Sequence, residues 1–335
     1  MAANRTLMIV GNKGGTNIAD SFCRAATSIG WNVEFCAASQ AYSENIWLQR
    51  LAWHLGGHRP VRLHKFSASV EATAKRARPS VLLSTGLAPV TATTLSKLKA
   101  QGLRCLHYST DDPWNPGQCA QWFLRSLPIY DHIFSVRHSN LNDFHRNGCA
   151  NVSFLPFAYD PFLFYSERAI IEPGEKSHIL FVGGADSDRV PILTEIINSG
   201  LAVALYGDNW GRYKHLQKYY YGRADESMLR DLTIRASVNL CLCRRANRDG
   251  HVMRSFEIPA IGGFMLAEDT EEHRELFGTE GECVLYFASG REAIVKANWA
   301  LQNPSERRRM SSAAHQRIVR NPNSYLDRLK VMLST

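Results

Sequence analysis

Apolar residues fall along the chain in short β-branched runs separated by stretches of helical spacing, the alternation that builds parallel β-α-β units. Residues 6–11, 32–38, 80–85, 104–110, 132–136 and 152–157 predict strands, and 17–29, 91–101, 118–126 and 139–147 predict helices, the last opening on Ser139 and stopping at Gly148. The periodicity breaks at 165–177, where Glu167-Arg168 and Glu172-Pro173-Gly174-Glu175-Lys176 bring charge, proline and glycine together, and a linker is expected there. The alternation then restarts. Strands are expected at 178–182, 202–206, 238–243, 264–267 and 284–287, helices at 189–199, 226–236 and 253–261, and a helical tail at 291–333.

This is an α/β protein of two wound, Rossmann-like halves: a first domain over 1–170, a second over 171–320 and a C-terminal helix at 321–335. Its 335 residues suffice for two cores. Two such sheets facing each other leave a cleft at the carboxyl ends of their strands, where loops and helix N-termini converge on ligands. The longest apolar runs, such as Ile179-Leu180-Phe181-Val182, fall far short of the roughly 18 residues of a membrane span. The first residues lack a long apolar run with a cleavage site, so a cytoplasmic protein is expected. Eight scattered cysteines without a C-x-x-C pair predict reduced, buried fillers, with no metal and no disulfide.

Several turns could carry chemistry. Gly11-Asn12-Lys13-Gly14-Gly15-Thr16 lies between a strand and a helix, matches neither G-x-G-x-x-G nor a P-loop, and is either a tight turn or a close approach of Gly14 and Gly15 to an anion or sugar. Asp111 and Asp112, before Pro113 at a strand end, are either turn residues or a general base accepting a hydroxyl proton. Asp186-Ser187-Asp188 has the D-x-D form but opens a helix, where an aspartate serves better as a cap, and no metal is assigned. Arg189 is placed to offer a guanidinium fork to a phosphate.

The formal net charge of +8 is uneven. From 210 to 256 ten Lys/Arg face four acids, whereas from 266 to 292 two face eight. Within the basic window, Asn247 to Gly263 joins a strand end to a helix with an acid, glycine, histidine and arginine close together.

The core Arg254-Ser255-Phe256-Glu257-Ile258-Pro259-Ala260-Ile261-Gly262-Gly263-Phe264 resembles the CgeB-like spore-maturation glycosyltransferases and, more widely, the family-1/4-like glycosyltransferases of the GT-B fold. Asp111-Asp112-Pro113, the segments 130–135 and 151–158, Phe181-Val182-Gly183-Gly184 and 206–210 extend the resemblance over about 105–290. The resemblance implies two domains facing across a cleft, with the terminal helix crossing back to the first. It implies a metal-independent transferase without cofactor, using a nucleotide-diphosphate sugar as co-substrate, its base (uridine, guanosine or thymidine) open. Asp249 and Glu257 stand at the spacing of the family's E-x7-E motif: Glu257 would hold ribose, and Asp249, replacing the usual glutamate, would meet the sugar. Amides from Gly250 through His251 to Ser255 and Phe256, with Arg254 and Arg189, would face the diphosphate. Tyr221 and Arg223 belong to the loop that would pack on the nucleobase.

The excess charge separates into two parts. Residues up to 170 hold 17 bases against 10 acids, the rest 22 against 21. The local cluster suits a diphosphate; the basic first domain suits an anionic acceptor or an acidic membrane surface reached peripherally from the cytoplasmic side. The acceptor itself, whether glycan, protein, lipid or small molecule, stays open. Two other readings remain: a nucleotide-sugar epimerase on the same fold, and a non-catalytic basic binding protein, for which no nucleic-acid module of interleaved basic and aromatic residues is visible.

Overall fold

The computed structural model describes residues 5–166 and 178–335. They form two compact units, one made of the chain up to Pro156 together with Tyr325–Thr335, the other of Phe157–Ser324.

The first unit is a six-stranded, all-parallel sheet: β1 (Thr6–Gly11), β2 (Asn32–Ala37), β3 (Val81–Thr85), β4 (Arg104–Ser109), β5 (His132–Ser135) and β6 (Val152–Phe154), in the order β2-β1-β3-β4-β5-β6. Helices cover both faces, so the apolar run Leu7-Met8-Ile9-Val10 is wholly buried. Helix Ile18–Ser28 buries Phe22, against whose ring Tyr325 stands edge-on at 5.3 Å, and helix Tyr325–Ser334 packs there. Arg104 donates to the carbonyls of Met332 and Leu333, a cation on the last turn of that helix where its dipole is negative.

The second unit is a five-stranded parallel sheet: β7 (Ile179–Val182), β8 (Val203–Tyr206), β9 (Val238–Cys241), β10 (Met265–Glu268) and β11 (Leu285–Phe287), in the order β11-β10-β9-β7-β8. The chain leaves β7 toward β8 and returns to β9 on the other side. The order therefore reverses at β7/β9, as it does at β1/β3 in the first unit, and such points are where crevices open at strand carboxyl ends.

Three expectations need correction. The domain boundary falls at Pro156/Phe157 and not at 170, because backbone bonding changes partner there. The Pro156 carbonyl accepts Tyr108 Oη and Arg328 Nε of the first unit, whereas Phe157 N donates to His251 Nε2, Tyr159 pairs with Ser324, and the Leu163 carbonyl accepts Arg230, all in the second. Most of the expected linker, 167–177, lies outside the described residues. The helical tail is three helices, Gly290–Gln302, Pro304–Val319 and Tyr325–Ser334, interrupted at Asn303-Pro304 and around Pro322. The helix expected at 118–126 is a single turn, Gln121–Leu124, followed by a 3-10 turn carrying Pro128. Three α-helices were unforeseen, Ile46–Leu55, Leu63–Ala77 and Glu271–Phe277; the second buries Leu63, Phe66, Ser67, Val70 and Ala74 at helical spacing.

His107 in β4 is fully buried, its Nδ1 bonded to Ser84 Oγ at 2.9 Å, and burial holds its pKa down at about 3. An unfolded chain binds that proton near pH 6.5, so the stability His107 contributes is complete above that pH and declines as pH falls toward 3. From pH 7.5 to 5.5 the cost is about 1.4 kcal/mol. Urea unfolding of the first unit's transition should show that loss in the wild type and its absence in His107→Phe; equal losses would mean that the native histidine takes up the proton.

Candidate active site

The carboxyl ends of β7 and β9 are joined by one side chain. Arg189, 6% exposed, opens helix Arg189–Asn198 and donates through Nη2 to the Leu242 carbonyl beyond β9 at 2.8 Å. Its Nη1 donates to Asp186 Oδ2 at 3.1 Å and reaches the Gly184 carbonyl beyond β7. Arg244 Nε meets the same Asp186 oxygen at 2.9 Å. Burial lowers the pKa of Arg189, Arg244 adds to this, and Asp186 and Asp249 oppose it. A buried guanidinium needs such a counter-charge. Two expectations change accordingly. Asp186 is an ion-pair acceptor and not a cap, the N-cap position being held by Asp188 without a side-chain cap bond. The fork of Arg189 is engaged by the fold and is not presented to solvent.

Arg254 is less buried than Arg189: its side chain is 21% exposed against 8%. It begins helix Arg254–Ile261, donates through Nε to the Val182 carbonyl at 3.3 Å and through Nη1 to Glu257 Oε2. Burial lowers its pKa to about 10; Cys241 opposes the shift and Arg189 adds to it. Glu257 is only 1% exposed. Asp249, half-buried, precedes the helix, so the Asp249/Glu257 spacing spans a loop-to-helix junction and not one helical face.

The loop between them is held from below. His251 Nε2 accepts the Phe157 amide, which leaves Nδ1–H to donate to Glu272 Oε2 at 2.6 Å. His273 Nδ1 donates to the Glu268 carbonyl, so its Nε2 accepts from Ser255 Oγ at 2.8 Å, and Ser255 Oγ in turn accepts the Val252 amide. Ser255 and Phe256 amides donate to the carbonyls of Val252 and Met253. Thus His251, Ser255 and Phe256, expected at the donor, are buried and build the loop, and the amides of Val252, Ser255 and Phe256 are engaged within it. Gly250 lies where a Cβ would come within 2.4 Å of the Glu272 carboxyl carbon.

At the β8 edge, Gly207 has φ +124° and a Cβ there would stand 2.3 Å from the Gly183 carbonyl oxygen. That close approach lets the buried Trp210 donate Nε1–H to the same carbonyl at 3.0 Å. Tyr221 N bonds the Leu205 carbonyl and Gly207 N the Gly222 carbonyl, laying 220–222 along β8. Tyr221 consequently stacks on Tyr206 at 5.7 Å while staying 63% exposed, with the exposed Arg223–Asp208 pair beside it.

In the first unit, Gly14 and Gly15 take left-handed backbone after β1, and Gly14 N donates to Asp20 Oδ2 at 2.5 Å. Asp112, 1% exposed, accepts the Trp114 amide and Asn140 Nδ2 at 2.9 Å and fixes the turn. Asp111 is half-buried, accepts Thr110 Oγ1 and lies near Gly86. Of the pair, Asp111 is the more exposed carboxylate. Among the described residues no group of three or more His, Cys, Asp or Glu is arranged to hold a metal.

The architecture is that of the GT-B glycosyltransferases. The profile of a family described as glycosyl transferase-like matches residues 189–334, which include the Arg189 and Arg254 elements. Sucrose-phosphate synthase from Thermosynechococcus elongatus superimposes with TM-score 0.71 at 15% identity, covering 98% of each chain. An E. coli structure described as trehalose-6-phosphate bound with UDP-2-fluoro glucose gives 0.64 at 12% identity and 98% of each chain. A UDP-N-acetylglucosamine 2-epimerase homologue of Listeria monocytogenes, described as putative, gives 0.58 at 12%, covering 100% of this chain and 96% of that one. A comparison with curated protein sequences gave no match.

Sequence reasoning missed Glu272 and His273 beneath the loop, and Asp186 as the shared anion. Glu272 sat in the acidic window, where nothing distinguished a buried acid from solvated ones. Replacing Gly250 by alanine should displace the Glu272 carboxylate from His251 and destabilise the second unit by about 1–3 kcal/mol, as overpacking does; an unchanged urea midpoint would show that the loop yields freely.

Proposed function

We propose that the protein is a glycosyltransferase that moves a sugar from a nucleotide-diphosphate sugar to an acceptor hydroxyl, with the donor held at the carboxyl ends of β7 and β9. The observation that carries this reading is Arg254, a partly exposed side chain whose guanidinium meets the Val182 carbonyl at the topological switch point and whose pKa burial lowers. An arginine whose charge is disfavoured by burial gains more from an incoming diphosphate than a solvated one does. Glu257 positions Arg254; when the guanidinium turns to the diphosphate, the uncovered carboxylate accepts the ribose hydroxyls. Asp249 accepts sugar hydroxyls, and the Tyr221–Tyr206 stack receives the nucleobase. Arg254 then stabilises the departing diphosphate without a metal as the anomeric carbon–oxygen bond breaks. The acceptor oxygen bonds to the anomeric carbon and loses its proton to a general base.

The resemblance of Arg254–Phe264 to CgeB-like enzymes, and the UDP-2-fluoro glucose bound by the E. coli neighbour, support UDP-sugars as the first donors to test. Calorimetry should detect a nucleoside diphosphate, and Tyr221→Ala, at an exposed position, should weaken it about tenfold with the thermal midpoint unchanged, the scale of one stacking contact. Equal affinity would remove Tyr221 from the site. Product analysis with candidate acceptors should give nucleoside diphosphate and glycosylated acceptor in equal amounts. An epimerised sugar formed without acceptor would make the protein an epimerase, and salt-steep nucleic-acid binding with no nucleotide-sugar affinity would make it a binding protein.

A further inference from the structure

The first unit carries an exposed apolar stripe that the proposed function does not use. Helix Ile46–Leu55 shows Trp47, Leu48, Leu51 and Leu55 at 77%, 53%, 58% and 79% exposure, with Val61 at 47% just beyond. At about 100° per residue, these helix positions fall within an arc of roughly 100°. The other side of the helix is clamped. Gln49 Oε1 accepts the amides of Ser43 and Val61, Trp53 packs on the His58 ring at 4.9 Å, and His58 Nδ1 donates to the Cys119 carbonyl at 2.6 Å. Trp122 Nε1 closes the clamp on the His58 carbonyl at 3.1 Å. The helix is therefore fixed by its polar and aromatic underside, with its leucines turned outward.

The charge around the stripe is predominantly positive. Between residues 44 and 70 the chain holds Arg50, Arg59, Arg62 and Lys65, all exposed, against one exposed acid, Glu44. Arg50 lies 5.8 Å from the Trp47 ring centre. A protein partner of ordinary mixed charge does not call for such a basic excess, whereas an anionic lipid surface is complementary to it. Tryptophan and leucine on one face of a clamped helix, with arginines beside them, have the composition of an element lying in a membrane interface. Among the described residues no helix is long and apolar enough to cross a membrane, so the contact is one of surface docking.

We infer that helix Ile46–Leu55 and its basic flank dock the protein onto an anionic membrane surface, the apolar stripe entering the headgroup region and Arg59, Arg62 and Lys65 meeting lipid phosphates. The inference stands apart from the donor site and from the transferase reading.

Sedimentation of the full chain with phosphatidylcholine vesicles, made with or without phosphatidylglycerol, tests it. Binding is expected only with phosphatidylglycerol and should fall as salt rises. The triple variant Trp47→Ser, Leu51→Ser, Leu55→Ser should bind at least about tenfold more weakly with an unchanged thermal midpoint, and Arg59→Glu with Arg62→Glu should abolish the preference for anionic vesicles. Undiminished binding by the triple variant, or no binding by the wild type, overturns the proposal. A concentration-dependent dimer in light scattering that the triple variant abolishes would overturn it in favour of a second copy covering the stripe.

Discussion

The second unit is organised around a positive charge that it has buried. Arg189 joins the carboxyl ends of β7 and β9 through the Leu242 and Gly184 carbonyls, and these are the strands between which the sheet reverses its order. A guanidinium taken out of water must be compensated locally. Asp186 supplies most of that compensation and in doing so draws in Arg244, fixing the start of the loop that leads to Asp249. One desolvated cation thereby determines where both strand-end loops run.

Arg254 acquires its properties from this arrangement. It arrives beside Arg189 with its Nε on the Val182 carbonyl, and the neighbouring positive charge together with burial makes its own charge less favourable. Support comes from below, through two hydrogen-bonded histidines: His251 between the Phe157 amide and Glu272, and His273 between the Glu268 carbonyl and Ser255. The result is a loop with little freedom to rearrange, followed by Arg254, whose side chain is less buried than that of Arg189. Such preorganisation favours stabilisation of developing negative charge, since the dipoles need not reorient when it appears.

Much of this was legible in the sequence, and the limits have physical causes. The strands were visible because parallel strands covered on both faces read as continuous apolar runs, as in Leu7-Met8-Ile9-Val10. The run from Asn247 to Gly263 stood out by its mixed chemistry, and it forms the loop and helix that carry Arg254. Individual roles were not readable: nothing in the string separates Arg189, engaged by carbonyls from two strand ends, from the less buried Arg254, because the partners include backbone oxygens with no sequence signature. Helix Ile46–Leu55 escaped for a related reason. Its apolar stripe faces outward, and its underside is held by Gln49, Trp53 and His58, so it lacks the buried periodicity by which helices are recognised.

In the proposed function the carboxyl ends of β7 and β9 hold the diphosphate and the Tyr206–Tyr221 stack beside β8 the base. Amide hydrogen exchange with and without saturating nucleoside diphosphate tests it most directly, because it reports where protection appears. The account predicts protection concentrated in residues 183–189, 206–223 and 244–257. Binding that leaves those segments unchanged and protects 11–17 and 85–112 instead would place the nucleotide in the first unit and contradict it.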